Sequence, residues 1–261
     1  MKKYIISLLL LSYFLTNAQT QWHIVYQFKR VETEASKKRS DSLRKANPQW
    51  AEMMQKFRKM SNNKTFHLHF NKLSSLFIEE ETLENPVQNK NKRSFMRMNR
   101  PKPIVFTEIP LKKYIQKITS FQEAYLIKDS LPNYQWKISN ETRQIGKYLV
   151  IKAIGKEMKR NRKGGLQEKE VIAWFTPQIP IGTGPKLYGG LPGLILELHV
   201  DREVFLAKEI LVNSKNKKEI IAPKKGKIVT QSEFDIVTKE RVKKMREMRK
   251  SYRKRRKNRR R

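Results

Sequence analysis

Apolar and polar residues alternate along many short stretches of the chain, and a period of two is typical of half-buried β-strands. The first stretch, residues 22–31, places four large apolar side chains on one face: Trp22, Ile24, Tyr26 and Phe28. Residues 171–175 are apolar on both faces, which predicts a central strand. Further strands are predicted at residues 65–71, 73–79, 104–106, 113–120, 123–128, 134–138, 147–154, 194–200, 203–212 and 228–230.

Two helices are predicted as well. The first runs from about Pro48 to Met60, and Asn47 is placed to cap it. Core packing is the favoured interpretation of its apolar stripe, with a ligand site as the alternative. The stripe consists of Trp50, Met53, Met54, Phe57 and Met60. The second helix begins near Ser232, where Ser232 and Asp235 resemble a capping box.

These patterns predict an α+β, β-dominated fold. The expected architecture is an antiparallel curved sheet or a partly open barrel, with one or two helices and a basic C-terminal helix or tail. Charged segments at residues 82–104 and 156–165 are predicted to connect strands. The predicted organisation is a signal peptide at residues 1–18, a β-rich domain at 19–231 and a basic helical or disordered tail at 232–261.

A glycine–proline loop, residues 182–193, precedes the strand at 194–200. Glycine enters positive φ freely and proline fixes φ, so this run must adopt one specific irregular backbone. The phosphate-binding glycine motifs are missing and a strand follows the loop, which disfavours nucleotide binding. A structural loop at one end of the sheet is the favoured interpretation. The alternative is a hydrophobic lip that holds a partner or lipid, formed by Trp174, Leu187, Tyr188 and Leu191.

The first residues indicate export. Lys2 and Lys3 precede an apolar run from Tyr4 to Leu15, and small or polar residues follow before Gln19. This is the layout of a cleaved secretory signal, and the run is shorter than the roughly 20 apolar residues of a membrane-spanning helix. The chain has no cysteine, which excludes disulfides, thiol catalysis and a lipid-modified cysteine. We expect an exported protein that is periplasmic, associated with the outer membrane or secreted.

Several short motifs follow one another between residues 134 and 210. They lie at residues 136–138, 141–145, 152–153, 173–176, 179–181, 184–185 and 190–195. The motif residues are Trp174, Gly184, Pro185, Gly190, Leu191, Pro192, Gly193, Leu194 and Ile195. In this order they resemble the GLPGLI family of the Bacteroidota, which implies an exported envelope protein of uncharacterised activity. Two features depart from the family pattern: Val150 stands where members often carry a cysteine, and the basic tail is an addition.

Catalytic motifs are not recognisable in the sequence. It contains no G-x-S-x-G elbow, no H-E-x-x-H pair and no cysteine nucleophile. We therefore expect no catalytic residue, no enzymatic activity and no cofactor. His67 and His69 share one face of a predicted strand at a spacing that can chelate a metal, and Met96 and Met98 repeat that spacing. A copper-like site is thus one alternative, but two solvent-facing polar residues explain the pair equally well, and no metal ligand is assigned.

The C-terminal tail predicts a partner from its charge. The chain has a net charge of +34, and residues 239–261 hold 15 basic and 2 acidic residues. Clusters of Lys and Arg bind polyanions by neutralising their charges and releasing counterions. Only one aromatic residue, Tyr252, lies in the tail, which disfavours base stacking and therefore nucleic acid. The candidate polyanion-binding residues are Arg253, Lys254, Arg255, Arg256, Lys257, Arg259, Arg260 and Arg261.

The sequence therefore favours an exported, non-enzymatic binding or structural protein of the envelope. Its tail is expected to contact lipopolysaccharide, acidic polysaccharide or an anionic lipid surface. The alternatives are a metal-binding accessory protein that uses His67 and His69, a carrier of a hydrophobic ligand, and a cytosolic nucleic-acid binder that retains its first 18 residues. No protein partner is predicted.

Overall fold

The alternating segments pair into one twelve-stranded, mostly antiparallel sheet that does not close into a barrel. The computed structural model describes residues 20–62, 64–80, 102, 104–160, 165–214 and 218–258. Within these residues the strands are β1 (Trp22–Arg30), β2 (Lys64–Phe70), β3 (Ser74–Glu79), β4 (Ile104–Glu108), β5 (Lys113–Ser120), β6 (Glu123–Ser130), β7 (Lys137–Ile145), β8 (Tyr148–Arg160), β9 (Leu166–Thr176), β10 (Leu194–Val200), β11 (Glu203–Val212) and β12 (Lys227–Val229). The helices are α1 (Glu34–Ala46), α2 (Pro48–Asn62) and α3 (Gln231–Asn258). The predicted β-dominated fold is confirmed.

The sheet consists of two antiparallel meanders that meet at β1. The strand order is β12-β6-β5-β4-β3-β2-β1-β11-β10-β9-β8-β7. β1 pairs with β2 on one side and with β11 on the other. The short strand β12 pairs with β6 in parallel and leads directly into α3. The C-terminal helix therefore starts at one edge of the sheet.

The main core lies on one face of the sheet. Ile24, Tyr26 and Phe28 of β1 are buried there, as their alternation predicts. The hydroxyl of Tyr26 donates a hydrogen bond of 2.5 Å to the carbonyl of Ile195 in β10. Large aromatic side chains bury much apolar area and dominate the core energetics. Other buried core phenylalanines are Phe66, Phe70, Phe77, Phe175 and Phe205.

A helix hairpin (residues 34–62) connects β1 to β2. The sequence does not predict α1, because this helix has no apolar stripe. Thr33 caps α1: its hydroxyl oxygen accepts a hydrogen bond from the Ser36 amide at 3.3 Å. The helix predicted from Pro48 to Met60 and its Asn47 cap are confirmed by α2. The Asn47 side chain accepts a bond from the Trp50 amide at 3.1 Å.

The apolar stripe of α2 does not pack as the sequence predicts. Trp50 and Met53 keep 39% and 45% of their surface exposed, so the core-packing interpretation is wrong for both. The reason is that α2 packs chiefly against the polar helix α1, and its main contact with the sheet is at β1. Met54 is half-buried, and the side chains of Phe57 and Met60 lie outside the described part of the structure.

Several predicted boundaries also differ from the observed ones. The strand predicted at residues 134–138 begins only at Lys137 and continues to Ile145, because β7 is an edge strand whose polar residues hide its pattern. β8 continues to Arg160, so much of the predicted connection at 156–165 is strand. The predicted signal peptide at 1–18 and nearly all of the connector at 82–104 lie outside the described residues. Within the described part, no helix is long and apolar enough to cross a membrane.

Candidate functional site

The glycine–proline loop folds back on itself between β9 and β10. The amide of Gly190 donates to the carbonyl of Gly182 at 3.1 Å, and the amide of Ile195 donates to the carbonyl of Thr183 at 3.0 Å. These amides are satisfied inside the loop. Both amides donate to carbonyl groups of the protein and not outward to a ligand, which supports the structural interpretation of the loop over an anion-binding one.

Close backbone contacts explain the glycines of this loop. A Cβ atom at Gly193 would lie 2.1 Å from the carbonyl oxygen of Thr176, and one at Gly182 would lie 2.6 Å from that of Leu191. Gly190 has a φ of +81°, which residues with side chains rarely adopt. The loop therefore needs glycine for its shape.

The predicted hydrophobic lip is wrong for two of its four residues. Tyr188 and Leu191 are buried inside the main core. The Tyr188 hydroxyl donates to the carboxylate of Glu157 at 2.8 Å, and the indole N–H of Trp136 donates to the Gly189 carbonyl at 2.8 Å. The loop thus fills the end of the sheet, because its large side chains point inward.

The other two lip residues are partly covered. Leu187 contacts both the main core and the smaller core beside α3. The centroid of the Trp174 ring lies 3.9 Å from the guanidinium carbon of Arg143, which also pairs with Glu197 at 2.8 Å.

Among the motif residues, Gly190 and Pro192 are exposed. The buried ones are Gly184, Pro185, Leu191, Gly193, Leu194 and Ile195.

An ion-pair cluster fastens the loop to the sheet. The Lys186 ammonium lies 2.6 Å from the Glu203 carboxylate, and Arg30 approaches the same carboxylate at 2.8 Å. Burial disfavours the charge on Glu203, but the two cations outweigh it and hold the pKa of this carboxyl below its ordinary value. The cluster has a structural role, because both cations contact the one carboxylate and so join the loop residue Lys186 to Arg30 of β1 and Glu203 of β11.

Three histidines, one more than the sequence analysis identified, share the face of β1 and β2 opposite the main core. His23 lies directly across from His69 in the strand register. The Nε2 atom of His23 lies 2.9 Å from Nδ1 of His67, and the rings of His23 and His69 stack with centroids 4.2 Å apart. They line a pocket of about 400 Å³, the histidine pocket. Its other lining residues are Ile78, Glu79, Glu80, Lys102, Ile104 and Lys218.

The surroundings lower the pKa of all three imidazoles. Burial lowers the pKa of His69 to about 4, assisted by His23, His67 and Lys218. Burial also lowers the pKa of His23 and of His67, although Glu209 and Glu80 respectively oppose the shift. Neutral imidazoles can stack and share a hydrogen bond without repulsion.

The histidine pocket does not present a formed metal centre. The prediction that His67 and His69 share one face is confirmed. Among the described residues, no group of three or more His, Cys, Asp or Glu is placed to hold a metal ion. Met96 and Met98 lie outside those residues.

The C-terminal helix α3 begins with a capping box two residues earlier than predicted. The amide of Thr230 donates to the Glu233 carboxylate at 2.7 Å, and the amide of Glu233 donates to the Thr230 hydroxyl oxygen at 3.3 Å. This is the reciprocal pattern of a capping box. The predicted pair, Ser232 and Asp235, lies inside the helix.

The first three turns of α3 are anchored on β6. The Phe234 ring packs edge-on against Tyr125 with centroids 5.3 Å apart. Arg241 pairs with the Glu123 carboxylate and lies over the rings of Phe121 and Tyr125. These contacts fix the direction in which the helix leaves the sheet.

Beyond this anchor α3 is exposed. Every residue from 243 to 252 is exposed, and the helix continues to Asn258. Five of the predicted polyanion-binding residues, 253–257, belong to the helix, although their side chains are not described. Arg259, Arg260 and Arg261 lie outside the described residues.

One family model matches part of the chain. It is described as a protein of unknown function, Porph_ging, and it matches residues 155–197, which include β9 and the glycine–proline loop. The match fits a family of the Bacteroidota. It covers a minority of the chain, so the GLPGLI assignment stays a prediction. No curated protein matches the chain.

The fold is similar to that of PNGF-II. The structure of PNGF-II in the C2 space group superposes with a TM-score of 0.51 at 16% identity, covering 83% of this chain and 32% of that chain. For PNGF-II in the P21 space group the TM-score is 0.48 at 16% identity, with 81% and 32% covered. The chain thus spans about a third of the length of the solved structures that it resembles. At this identity the similarity concerns the fold alone.

Proposed function

We propose that this protein is an exported, non-enzymatic binding protein of GLPGLI type in the cell envelope, and that α3 contacts anionic envelope polymers. The observation that carries the proposal is the division of α3. Its first turns pack on β6, whereas residues 243–252 are exposed throughout. An anchored helix is ordered before it binds, so it loses less conformational freedom on binding than a disordered tail of equal charge.

The charge of the segment beyond the anchor suits a polymer rather than a small anion. Residues 243–261 hold 13 basic and 1 acidic residue, a net +12 of the chain's +34. The helical residues 243–258 extend over about 24 Å. This length exceeds the Debye length of about 8 Å at physiological ionic strength, so the helix can neutralise several separate polymer charges at once. Lipopolysaccharide, acidic polysaccharide and an anionic lipid surface all present such charges.

The non-enzymatic part of the proposal has two supports. The sequence lacks a cysteine and the hydrolase motifs. The glycine–proline loop, which is the most distinctive motif, has a packing reason for its glycines. These residues are therefore explained without a reaction.

A truncation after Val242 tests the role of α3, because it keeps the anchoring residues Phe234 and Arg241. Binding to a soluble acidic polysaccharide is measured by calorimetry at low salt. We expect the truncated chain to bind about tenfold more weakly or worse, since most phosphate or carboxylate contacts and their released counterions are lost.

A charge-matched control separates the helix from general basicity. Replacing the five basic residues of α3 at 253–257 with glutamine should weaken binding strongly. Replacing five basic residues of α1 with glutamine removes the same charge and should have a small effect; these are Lys37, Lys38, Arg39, Arg44 and Lys45. Equal losses in both variants, or unchanged binding after truncation, would refute the proposal.

A further inference from the structure

The helix hairpin carries an apolar face that the fold leaves uncovered. Trp50 and Met53 of α2 are 39% and 45% exposed, and residues three apart lie on the same side of a helix. In the sequence, Phe57 follows Met53 by four residues and Met60 follows Phe57 by three, which continues the helical spacing of this apolar stripe. This arrangement leaves a large aromatic and a thioether side chain facing solvent on adjacent turns.

The same hairpin is strongly cationic. Residues 34–62 contain 8 basic and 3 acidic residues, a net charge of +5. An apolar face with tryptophan combined with many Lys and Arg residues is typical of helices that lie in the boundary of a bilayer. Tryptophan in particular favours this boundary because its ring is amphipathic.

Charge complementarity selects the occupant of this face. A second copy of the chain would bring two hairpins of +5 together, and like charges opposed across an interface disfavour association. A soluble acidic polymer would neutralise the charge but would leave Trp50 and Met53 in water. An anionic bilayer satisfies both features at once.

We propose that the helix hairpin docks on an anionic lipid surface, with Trp50 and Met53 entering the boundary between the headgroups and the acyl chains. The hairpin lies on the surface in this arrangement and does not span it. The site lies on a different element from α3, whose exposed part carries its own apolar side chains, Met245, Met248 and Tyr252, and is removed by a truncation after Val242.

The absence of cysteine in the chain allows a direct insertion test. A single Met53→Cys substitution, labelled with a polarity-sensitive fluorophore, reports on the apolar face. The matched control is Glu52→Cys, at the neighbouring exposed position. With phosphatidylglycerol-containing vesicles we expect an emission increase of about twofold or more at residue 53, and little change at residue 52. Phosphatidylcholine vesicles should leave both probes unchanged.

A binding measurement complements the insertion test. The double variant Trp50→Ser and Met53→Ser should bind anionic vesicles about tenfold more weakly, because the apolar contacts are lost while the charge is kept. Both side chains are exposed, so the fold should be retained, which circular dichroism checks. The chain truncated after Val242 should still show the signal at residue 53.

Several outcomes would overturn the proposal. Equal signals from residues 52 and 53 would indicate adhesion without insertion. Vesicle binding that is abolished by the truncation but unaffected by the double serine variant would assign lipid contact to α3. A signal at residue 53 that appears without vesicles, together with dimer formation, would assign the face to a second copy. Because polysaccharide binding is measured without lipid, the proposed function of α3 stands or fails separately.

Discussion

His69 is the most enclosed of the clustered histidines. Only 5% of the residue is exposed, and its Nδ1 atom has no hydrogen-bond partner among the described residues. A neutral ring packs acceptably against His23 in this position. A protonated ring would place a poorly solvated charge beside the positive Lys218, which is why its pKa falls to about 4.

We expect the protein to lose stability as the pH falls from neutral toward 4, with His69 contributing to the loss. The folded-state pKa lies below the ordinary 6.5, so the unfolded chain binds more protons between these two values. The contribution of His69 is fully present above pH 6.5 and is lost as the pH falls through 4. One such proton gives a slope of at most about 1.4 kcal/mol per pH unit. Urea unfolding at several pH values measures this slope.

The variant His69→Phe isolates this contribution. It keeps an aromatic ring against His23 but removes the titrating group, so its stability should depend less steeply on pH than that of the natural chain. His23 and His67 remain in the variant and retain a part of the slope. Equal slopes in the two proteins, or an NMR titration that places the His69 pKa at or above 6.5, would contradict the prediction.

At the scale of the elements, Phe234 decides whether α3 stays on the sheet. Its ring packs against Tyr125, while Ile236 on the same turn is 58% exposed. We expect Phe234→Ala to weaken the docking of α3 by about 1–3 kcal/mol, through lost burial and lost ring contact. Hydrogen exchange should then accelerate at residues 231–241 and remain slow in the central strands.

The control for this prediction is Ile236→Ala. It removes an apolar side chain of similar helix position that has no core contact to lose, so exchange in α3 should change little. If both variants accelerate exchange equally, the docking does not depend on the Phe234 contact. If neither does, other contacts of α3, such as the Arg241–Glu123 ion pair and the packing of Val237, hold the helix.

The elements show what the sequence can and cannot predict. The alternation in β1 predicts both its bounds and its buried face, because one face packs on a core and the other does not. The α1 helix escapes detection because it buries almost nothing, so no apolar period marks it. His23 lies beside His69 because β1 pairs with β2 in one particular register. That register cannot be predicted from the sequence of either strand taken separately. Thr230 with Glu233 and Ser232 with Asp235 both have the spacing of a capping box, so the sequence alone does not distinguish them.

At the scale of the whole molecule, the charge is concentrated on two exposed elements. The helix hairpin carries +5 and residues 243–261 carry +12, which together is half of the net charge of +34. The hairpin exposes Trp50 and Met53, and α3 exposes Met245, Met248 and Tyr252 beyond its anchored turns. Each of the two proposed anionic contacts would therefore combine basic residues with exposed apolar side chains.

Such a charge excess also opposes folding, because the compact state brings like charges together. Most ion pairs of the sheet have at least one half-buried partner, but 24 Asp and Glu residues cannot neutralise 58 Lys and Arg residues. We therefore expect repulsion to dominate, so that added salt screens it and raises the melting temperature. A relief of ~1 kcal/mol corresponds to about 2–4 °C for a chain of this size. Differential scanning calorimetry at low and moderate sodium chloride measures the shift.

The chain truncated after Val242 has a net charge of +22, the difference between +34 and +12, and should show a smaller rise in melting temperature. A melting temperature that falls with salt in both proteins would mean that the attractive ion pairs outweigh the repulsion.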